Sequence, residues 1–145
     1  MSKEIKDIVK QKIKEGWIRS QLFIEVLAIT SEAAKEVLEA HIKKFENEKG
    51  VLLSKIDWKE CKRVEKPFQN IPEAYSYVVE VEALTENYEK LIYVVMNYGP
   101  SSVEILEPQE IKLKTWEGDA IANSIADILH SFAAQGAGGI ILRKV

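Results

Sequence analysis

The sequence predicts an α+β fold, and three observations lead to this class. Apolar residues recur at helical spacing in four segments, the longest of which is 118–135. They alternate with polar residues over two long strand-like segments, 17–29 and 75–83. Gly and Pro residues, such as the Gly99-Pro100 pair, separate these segments. We therefore expect helices and strands that follow one another along the chain.

The N-terminal third of the chain predicts a helix, a strand and a second helix. Residues 3–15 carry apolar side chains three and four positions apart, and Gly16 is suited to the C-cap. Residues 17–29 form a long first strand whose two faces are both partly apolar. Thr30 or Ser31 is suited to cap the next helix. The apolar stripe of this helix comprises Ala34, Val37, Leu38, His41, Ile42 and Phe45.

The middle of the chain predicts two strands joined by a long connection. The apolar side chains of the second strand are Val51, Leu53, Ile56 and Trp58. Residues 59–73 hold charges and two prolines, Pro67 and Pro72, and predict a long hairpin connection. The third strand alternates from Tyr75 to Ala83.

The C-terminal part predicts a helix, a strand and a last helix. The first of these helices is capped by Thr85 and ends at Gly99. A fourth strand begins at Val103, and we expect it to resume at 111–113. The helix at 118–135 is apolar around most of its circumference, so we expect it to be buried on more than one side.

Residues 17–113 follow the order strand–helix–strand–strand–helix–strand. This is the split βαβ plan, in which two helices cover one face of a four-stranded antiparallel sheet. The predicted fold is therefore α+β with a ferredoxin-like βαββαβ core at about 17–113. An extra N-terminal helix at 3–15 precedes this core, and an extra C-terminal helix at 118–135 plus a short strand at 140–142 follow it.

Length and composition bound the class of protein. With 145 residues and 16.5 kDa, residues 1–145 fit a single α+β domain. No apolar run approaches the roughly 20 residues that a membrane-spanning helix needs. The N-terminus lacks the apolar segment of a secretory signal. The single cysteine, Cys61, cannot form an internal disulfide, so we expect a cytoplasmic protein.

The charged residues bear on habitat and on partners. Three of the 20 basic residues are Arg and four of the 23 acidic residues are Asp, which makes a Lys/Glu surface typical of a thermophile. The net charge of −3 divides into +3 over residues 1–72 and −6 over residues 73–145. Because phosphate binding scales with the number of cationic contacts, only the first half of the chain is suited to nucleic acid.

No residue set has the spacing of a catalytic or metal site. His41 lies on a helical apolar stripe, which favours a packed residue, and the sequence has no His-x-x-x-His or Cys-x-x-Cys pair. Cys61 has basic neighbours but no histidine nearby in sequence. Glu80 and Glu82 share one strand face, which favours a solvated face over an acid–base pair. The Gly-rich segment 136–139 follows a helix, the reverse of a phosphate-binding loop. We therefore predict no enzyme activity, no cofactor and no metal.

Aromatic residues mark a candidate ligand or partner surface. This surface comprises Trp17, Phe23, Trp58, Tyr75 and Tyr77. The first and third strands, which carry four of these residues, are the central pair of a ferredoxin-like sheet. RNA-recognition domains stack bases on aromatics at this position. Packing in the core or between subunits is the favoured interpretation, because the acidic pair on the third strand would repel phosphate.

The first strand also predicts a cover for the sheet. Leu22 points to one face, and Phe23 and Leu27 point to the other, whereas two core helices cover one face only. A large apolar patch is seldom left in water. We therefore expect the helix at 118–135, from its own chain or from a partner chain, to pack on the face opposite the core helices.

One segment resembles a known module. It reads Tyr98-Gly99-Pro100-Ser101-Ser102-Val103-Glu104-Ile105-Leu106-Glu107-Pro108-Gln109-Glu110-Ile111. This phrase, and more loosely residues 74–113, resembles the ferredoxin-like C-terminal extension (WCX) of WYL-domain transcriptional regulators. The resemblance implies a regulatory or ligand-sensing accessory module, and it carries over no functional residues. The chain departs from those regulators because it has no winged helix and no WYL domain.

We therefore expect a non-enzymatic, self-associating regulatory or ligand-sensing accessory module. Its expected partners are a second copy, in a homodimer or a higher homo-oligomer, and a small-molecule ligand. The alternative is a nucleic-acid-binding module that uses basic residues around Trp58. These residues are Lys55, Lys59, Lys62, Arg63 and Lys66. We rank nucleic acid below self-association and expect no membrane partner.

Overall fold

The computed structural model describes residues 2–135, which form four helices and five strands. The helices are α1 (Lys3–Lys14), α2 (Ser31–Glu46), α3 (Tyr88–Tyr98) and α4 (Thr115–Ala134). The strands are β1 (Ile18–Ala28), β2 (Val51–Trp58), β3 (Lys62–Phe68), β4 (Ile71–Thr85) and β5 (Ser102–Glu107). The strand expected at 140–142 and the Gly-rich segment 136–139 lie outside the described residues.

The strands form one antiparallel sheet in the order β2–β4–β1–β5, and β3 pairs with the N-terminal part of β4. β1 and β4 are the central pair, in a register that places Leu22 opposite Val81 and Ile24 opposite Val79. With β3 set aside, this is the strand order of the ferredoxin-like plan. The predicted class, an α+β fold with a ferredoxin-like core and extra helices, is confirmed.

The core lies between α2, α3 and one face of the sheet. Alternate strand residues point into it, since successive side chains of a strand face opposite ways. The strand residues buried in this cluster are Leu22, Ile24, Tyr77, Val79, Val81 and Ala83. Leu38, Ile42 and Phe45 of α2 pack onto them. The ring of Phe45 stacks on that of Tyr98 with a centroid distance of 4.7 Å, which ties α2 to α3.

The long hairpin connection expected at 59–73 contains regular structure that was not predicted, because most of it forms a β-hairpin of its own. β3 pairs along the first part of β4, and Phe68 lies opposite Ile71 across a two-residue turn. We term this hairpin, residues 62–76, the hairpin arm. Most side chains of β3 are exposed, as an edge strand permits, so charges interrupt the apolar alternation by which a strand is recognised.

Two element boundaries also differ from expectation. Asn87, not Thr85, caps α3, since its side-chain oxygen accepts a hydrogen bond from the backbone N–H of Lys90 at 2.8 Å. Thr85 is instead the buried last residue of β4. Residues 111–113 do not resume a strand, because β5 ends at Glu107 and the chain continues without regular structure to α4.

The last helix packs on a different element from the one expected. α4 lies against α3, on the helical side of the sheet, so the expectation that it covers the opposite face of its own sheet is wrong. Only Ile121 of α4 is buried, whereas Trp116 is 65% exposed. The expectation that this helix is buried on more than one side is therefore also wrong for the residues that the structure describes. Of the described helices, α4 is the longest, with 20 residues, and none combines the length and apolarity needed to cross a membrane.

Candidate functional site

The sheet face opposite α2 and α3 carries a ladder of ion pairs and hydrogen bonds. This open face is formed by the side chains that alternate with the core residues. From β1 and β4 they are Arg19, Gln21, Phe23, Glu25, Leu27, Ser76, Val78, Glu80, Glu82 and Leu84. Arg19 donates hydrogen bonds of 2.9 Å to both Glu82 and Glu107, which joins three strands. Gln21 donates to Glu80.

This polar ladder leaves the middle of the open face suited to contact with water, whereas Leu84, near the end of β4, is fully buried. Arg19, Glu80 and Glu82 are only partly exposed, and each has a partner across the strands: Arg19 pairs with Glu82, and Glu80 pairs with Lys59. Polar groups that are paired and still touch water are already satisfied, and covering them would add a desolvation cost. The apolar residues Phe23 and Leu27 interrupt this face without dominating it.

The structure divides the five predicted aromatics between the two faces of the sheet. Trp17 precedes β1, and the Nζ of Lys12 lies 4.4 Å from its ring centroid. Phe23 lies on the open face, opposite Glu80. Tyr77 and Tyr75 lie on the other side, within or against the core. The pleat of the strands therefore prevents the five residues from forming one continuous surface.

Trp58 and Tyr77 form a stacked pair at the edge of the core. Their ring centroids are 5.6 Å apart, and the rings are inclined by 23°. Burial raises the pKa of Tyr77 above its usual value, so its hydroxyl stays protonated in this environment. The pair has the geometry of a packing contact between β2 and β4.

The basic residues of the alternative hypothesis are partly neutralised by carboxylates. Lys59 Nζ lies 2.6 Å from Asp57 and 3.0 Å from Glu80, and these hydrogen bonds raise the pKa of Lys59. The same bond to Lys59 lowers the pKa of Asp57. Arg63 pairs with Glu73 at 2.6 Å, which raises the pKa of Arg63. Two of the five cations are thus engaged by acids of the same chain.

A partly buried hydrogen-bond cluster joins α2 and the residues that follow it to the end of α3. The Tyr98 hydroxyl donates to Glu48 at 2.6 Å, and Nε2 of His41 lies 2.9 Å from the Tyr98 carbonyl oxygen. Burial, and secondarily the bond to Glu48, raises the pKa of Tyr98. His41 is thus placed as a packed, hydrogen-bonded residue, as its position on the helical stripe predicts.

The remaining residues considered for chemistry stay apart from one another. Cys61 is partly buried against the core, and His130 lies exposed on α4. Within residues 2–135, no three His, Cys, Asp or Glu side chains converge as a metal site requires.

Large apolar side chains are exposed together where the hairpin arm meets the end of β1. A shallow hollow of about 70 Å³ lies there, and all six residues that line it have apolar side chains. We term these lining residues the tip patch: Leu27, Ala28, Ile29, Phe68, Ile71 and Ala74. Ile29 is 72% exposed and Phe68 is 62% exposed. Exposed clusters of this kind mark contact sites more often than isolated apolar residues do.

A second group of exposed apolar residues lies on α4. Ile125 is 40% exposed and Phe132 is 44% exposed, and helical spacing places them on one side of the helix. Ser124, close to them in sequence, instead faces Glu89, Lys90 and Tyr93 of α3 across a hollow of about 200 Å³. This group is the remainder of the apolar stripe that α3 does not cover.

The tip patch escaped prediction from sequence for a structural reason. Its residues come from β1, the turn that follows it and the hairpin arm, which are about 40 positions apart in the chain. An isolated Phe68 between Pro67 and Gln69 carries no periodic signal. Only a prediction of β3 as a strand would have indicated the patch, because the pairing of β3 with β4 places Phe68 beside the end of β1.

Comparison with known proteins places the chain in a family. Neither the search of curated proteins nor the search of solved structures found a match. Residues 19–141 match the MJ0538 family, and this range includes the open face, the hairpin arm and α4. Because the match spans most of the sequence, the chain belongs to the MJ0538 family.

Proposed function

We propose that this chain is a non-enzymatic, self-associating accessory module that acts in the cytoplasm as a homodimer or a higher homo-oligomer. The observation that carries the proposal is the exposure of Ile29 and Phe68 in the tip patch, both more than 60% accessible. Soluble monomers seldom leave a continuous apolar patch in water, and contact with another copy would remove this one from solvent.

The open face is less suited than the tip patch to contact a second copy. Its charges are already paired within the chain, as Arg19 is with Glu82 and Lys59 with Asp57. A surface whose polar groups satisfy one another gains little from burial against a copy of itself. The nucleic-acid alternative is likewise less well supported, since Lys59 and Arg63 are engaged by acids.

The proposed regulatory or ligand-sensing role is based on two analogies. The first is the resemblance of residues 98–111 to the C-terminal extension of WYL-domain regulators. The second is the use of paired ferredoxin-like domains to bind small molecules at their junction, which is an analogy of fold. A small-molecule ligand at a junction between copies, in a protein of thermophilic origin, is the role that we propose.

The test of self-association is the molecular mass in solution over a wide range of protein concentration. We expect light scattering and native mass spectrometry to give at least twice the 16.5 kDa of one chain. A mass of one chain at every concentration would refute the proposal.

Binding to nucleic acid tests the alternative function in parallel. Phosphate contacts give an affinity that falls steeply with salt concentration. We expect no detectable binding of RNA or DNA even at low salt. Salt-sensitive binding that Lys62→Ala and Lys66→Ala weaken would establish the alternative instead.

A further inference from the structure

We infer that the tip patch is the surface through which two copies of this chain pair about a two-fold axis. The inference rests on the proposed function, because it names the interface of the self-associating module. It commits to a second copy of the same chain as the occupant of the patch.

The hairpin arm presents the patch beyond the body of the sheet. The last residue of β1 that pairs with β4 is Ala28, opposite Tyr75. Residues 71–74 of β4 pair with β3 but not with β1, so the arm extends past β1 by about 14 Å. A projecting end can reach the same end of a second copy without contact between the two sheets.

The charges of the arm fit a copy of the same chain. In a two-fold contact each residue meets a surface identical to its own, so a patch with a large net charge would repel itself. Six charged side chains lie on the arm or accept a hydrogen bond from it, as Glu25 does from Ser76: Glu25, Lys62, Arg63, Glu65, Lys66 and Glu73. Three are cationic and three are anionic. Arg63 is also held by Glu73 at 2.6 Å and by Glu65 at 3.3 Å.

This neutral rim argues against other occupants. A polyanion or an anionic membrane would be attracted by an excess of cations over anions, which these six side chains lack. A small molecule is usually enclosed on most sides by its pocket, whereas the hollow in the patch holds only about 70 Å³. A larger hollow of about 570 Å³ lies at the turn of the arm, but residues 66–72 of this one turn are its whole lining and do not enclose a ligand.

The outer edge of the arm is unsuited to an added β-strand from a peptide. Lys62, Lys66 and Pro67 lie on this edge strand, and Lys66 has a positive φ of 48°. Lysine, proline and irregular backbone are the features by which edge strands resist pairing. The partner therefore meets the apolar side chains of the patch and not the backbone of β3.

The experiment compares two substitutions of exposed phenylalanines in the full chain. Phe68→Glu places a carboxylate in the patch and, in a two-fold contact, opposite its twin. Because a central apolar residue is lost twice, we expect the dimer dissociation constant to rise by about 100-fold or more. Phe132→Glu makes the same chemical change on α4 and should leave the dimer intact. Sedimentation measures the dissociation constant, and circular dichroism checks that both variants keep the fold.

A second measurement does not depend on disrupting the interface. In a Cys61→Ser background, we expect Gln69→Cys at the turn of the arm to form a disulfide between copies under mild oxidation. Ser131→Cys on α4 is the matched control and should remain free.

The outcomes separate the inference from the proposed function. A wild-type chain that is always monomeric refutes both. A wild-type dimer that survives Phe68→Glu, or that Phe132→Glu dissociates, leaves the proposed function standing and refutes the tip patch as the interface. Loss of the dimer with Phe68→Glu alone, together with crosslinking through residue 69, is the expected result.

Discussion

The two faces of the sheet are built from the same strands but rely on different interactions. On the helical face, Leu22, Val79 and Val81 are fully buried among apolar side chains. On the open face, Glu80 and Glu82, the sequence neighbours of Val79 and Val81, form ion pairs with Lys59 and Arg19 in partial contact with water. Successive residues of a strand face opposite sides of the sheet, so neighbouring side chains make different interactions: hydrophobic contacts on one face and salt bridges on the other.

This difference shows where the stability of the protein resides. Burial of a large apolar side chain contributes several kcal/mol, whereas a partly exposed ion pair contributes at most about 1 kcal/mol. We therefore expect the helical face to carry the free energy of unfolding and the open face to specify strand pairing. Four substitutions test this division, from the largest expected effect to the smallest.

The largest effect is expected from Leu22→Ala on the helical face of β1. Leu22 has no exposed surface, so truncation leaves a cavity in the core. The free energy of unfolding should fall by about 2–5 kcal/mol in urea denaturation. Its neighbour Gln21 faces the other way, and Gln21→Ala should cost less than about 1 kcal/mol. Equal losses for the two variants would contradict the proposed division.

The Tyr98 hydroxyl is the main polar element on the helical side. Tyr98→Phe removes its 2.6 Å hydrogen bond to Glu48, and the free energy of unfolding should fall by about 1.5 kcal/mol at neutral pH. Burial raises the pKa of Tyr98, so the folded state favours the protonated form. Stability is then fully present below the unfolded pKa of about 10 and is lost as pH rises above it.

The pH profile distinguishes this role of Tyr98 from simple packing. Tyr98→Phe should show a shallower loss of stability above pH of about 10 than the wild type. The loss should not vanish, because burial also raises the pKa of Tyr77 and of Tyr93. Identical slopes for the variant and the wild type would show that Tyr98 does not titrate in this way.

Two buried hydroxyls of the helical face lack a hydrogen-bond partner among the described residues. They belong to Ser20 of β1 and Thr85 of β4. Thr85→Val replaces the hydroxyl by a methyl group of similar shape, and it should raise the free energy of unfolding by about 1 kcal/mol. Thr85→Ser keeps the hydroxyl, loses a methyl group and should lower stability. If Thr85→Val is destabilising, the expectation that this hydroxyl is unsatisfied is refuted.

The smallest effect is expected from Arg19→Met on the open face. Methionine keeps much of the apolar stem of arginine and removes the bonds to Glu82 and Glu107. We expect a loss of about 1 kcal/mol or less at low salt, and a smaller loss at high salt because screening weakens the wild-type pairs. A loss as large as that of Leu22→Ala would show that the open face also carries the fold.

Periodicity and end signals were sufficient to predict much of this architecture. Alternation of apolar residues placed β1 and the main part of β4, and helical spacing placed α2 and α3, because local repeats report burial on one face directly. The order of these elements then restricted the sheet to a ferredoxin-like arrangement, which the strand pairing confirms. For the same local reason, Gly99 at the end of α3 was recognisable, and it adopts the left-handed conformation.

Only tertiary contacts decided which apolar surfaces are covered and which stay exposed. The stripe on α4 is visible in the sequence, but only the folded chain shows that α4 packs on α3 and not on the open face, where Arg19 pairs with Glu82. The aromatics fall on opposite sides of the sheet because pairing fixes which way each strand faces. The tip patch joins Ile29 to Phe68 through the pairing of β3, an edge strand whose charged residues hide it from any periodic pattern. Long-range pairing of this kind is a property of the folded chain and leaves no local repeat to detect.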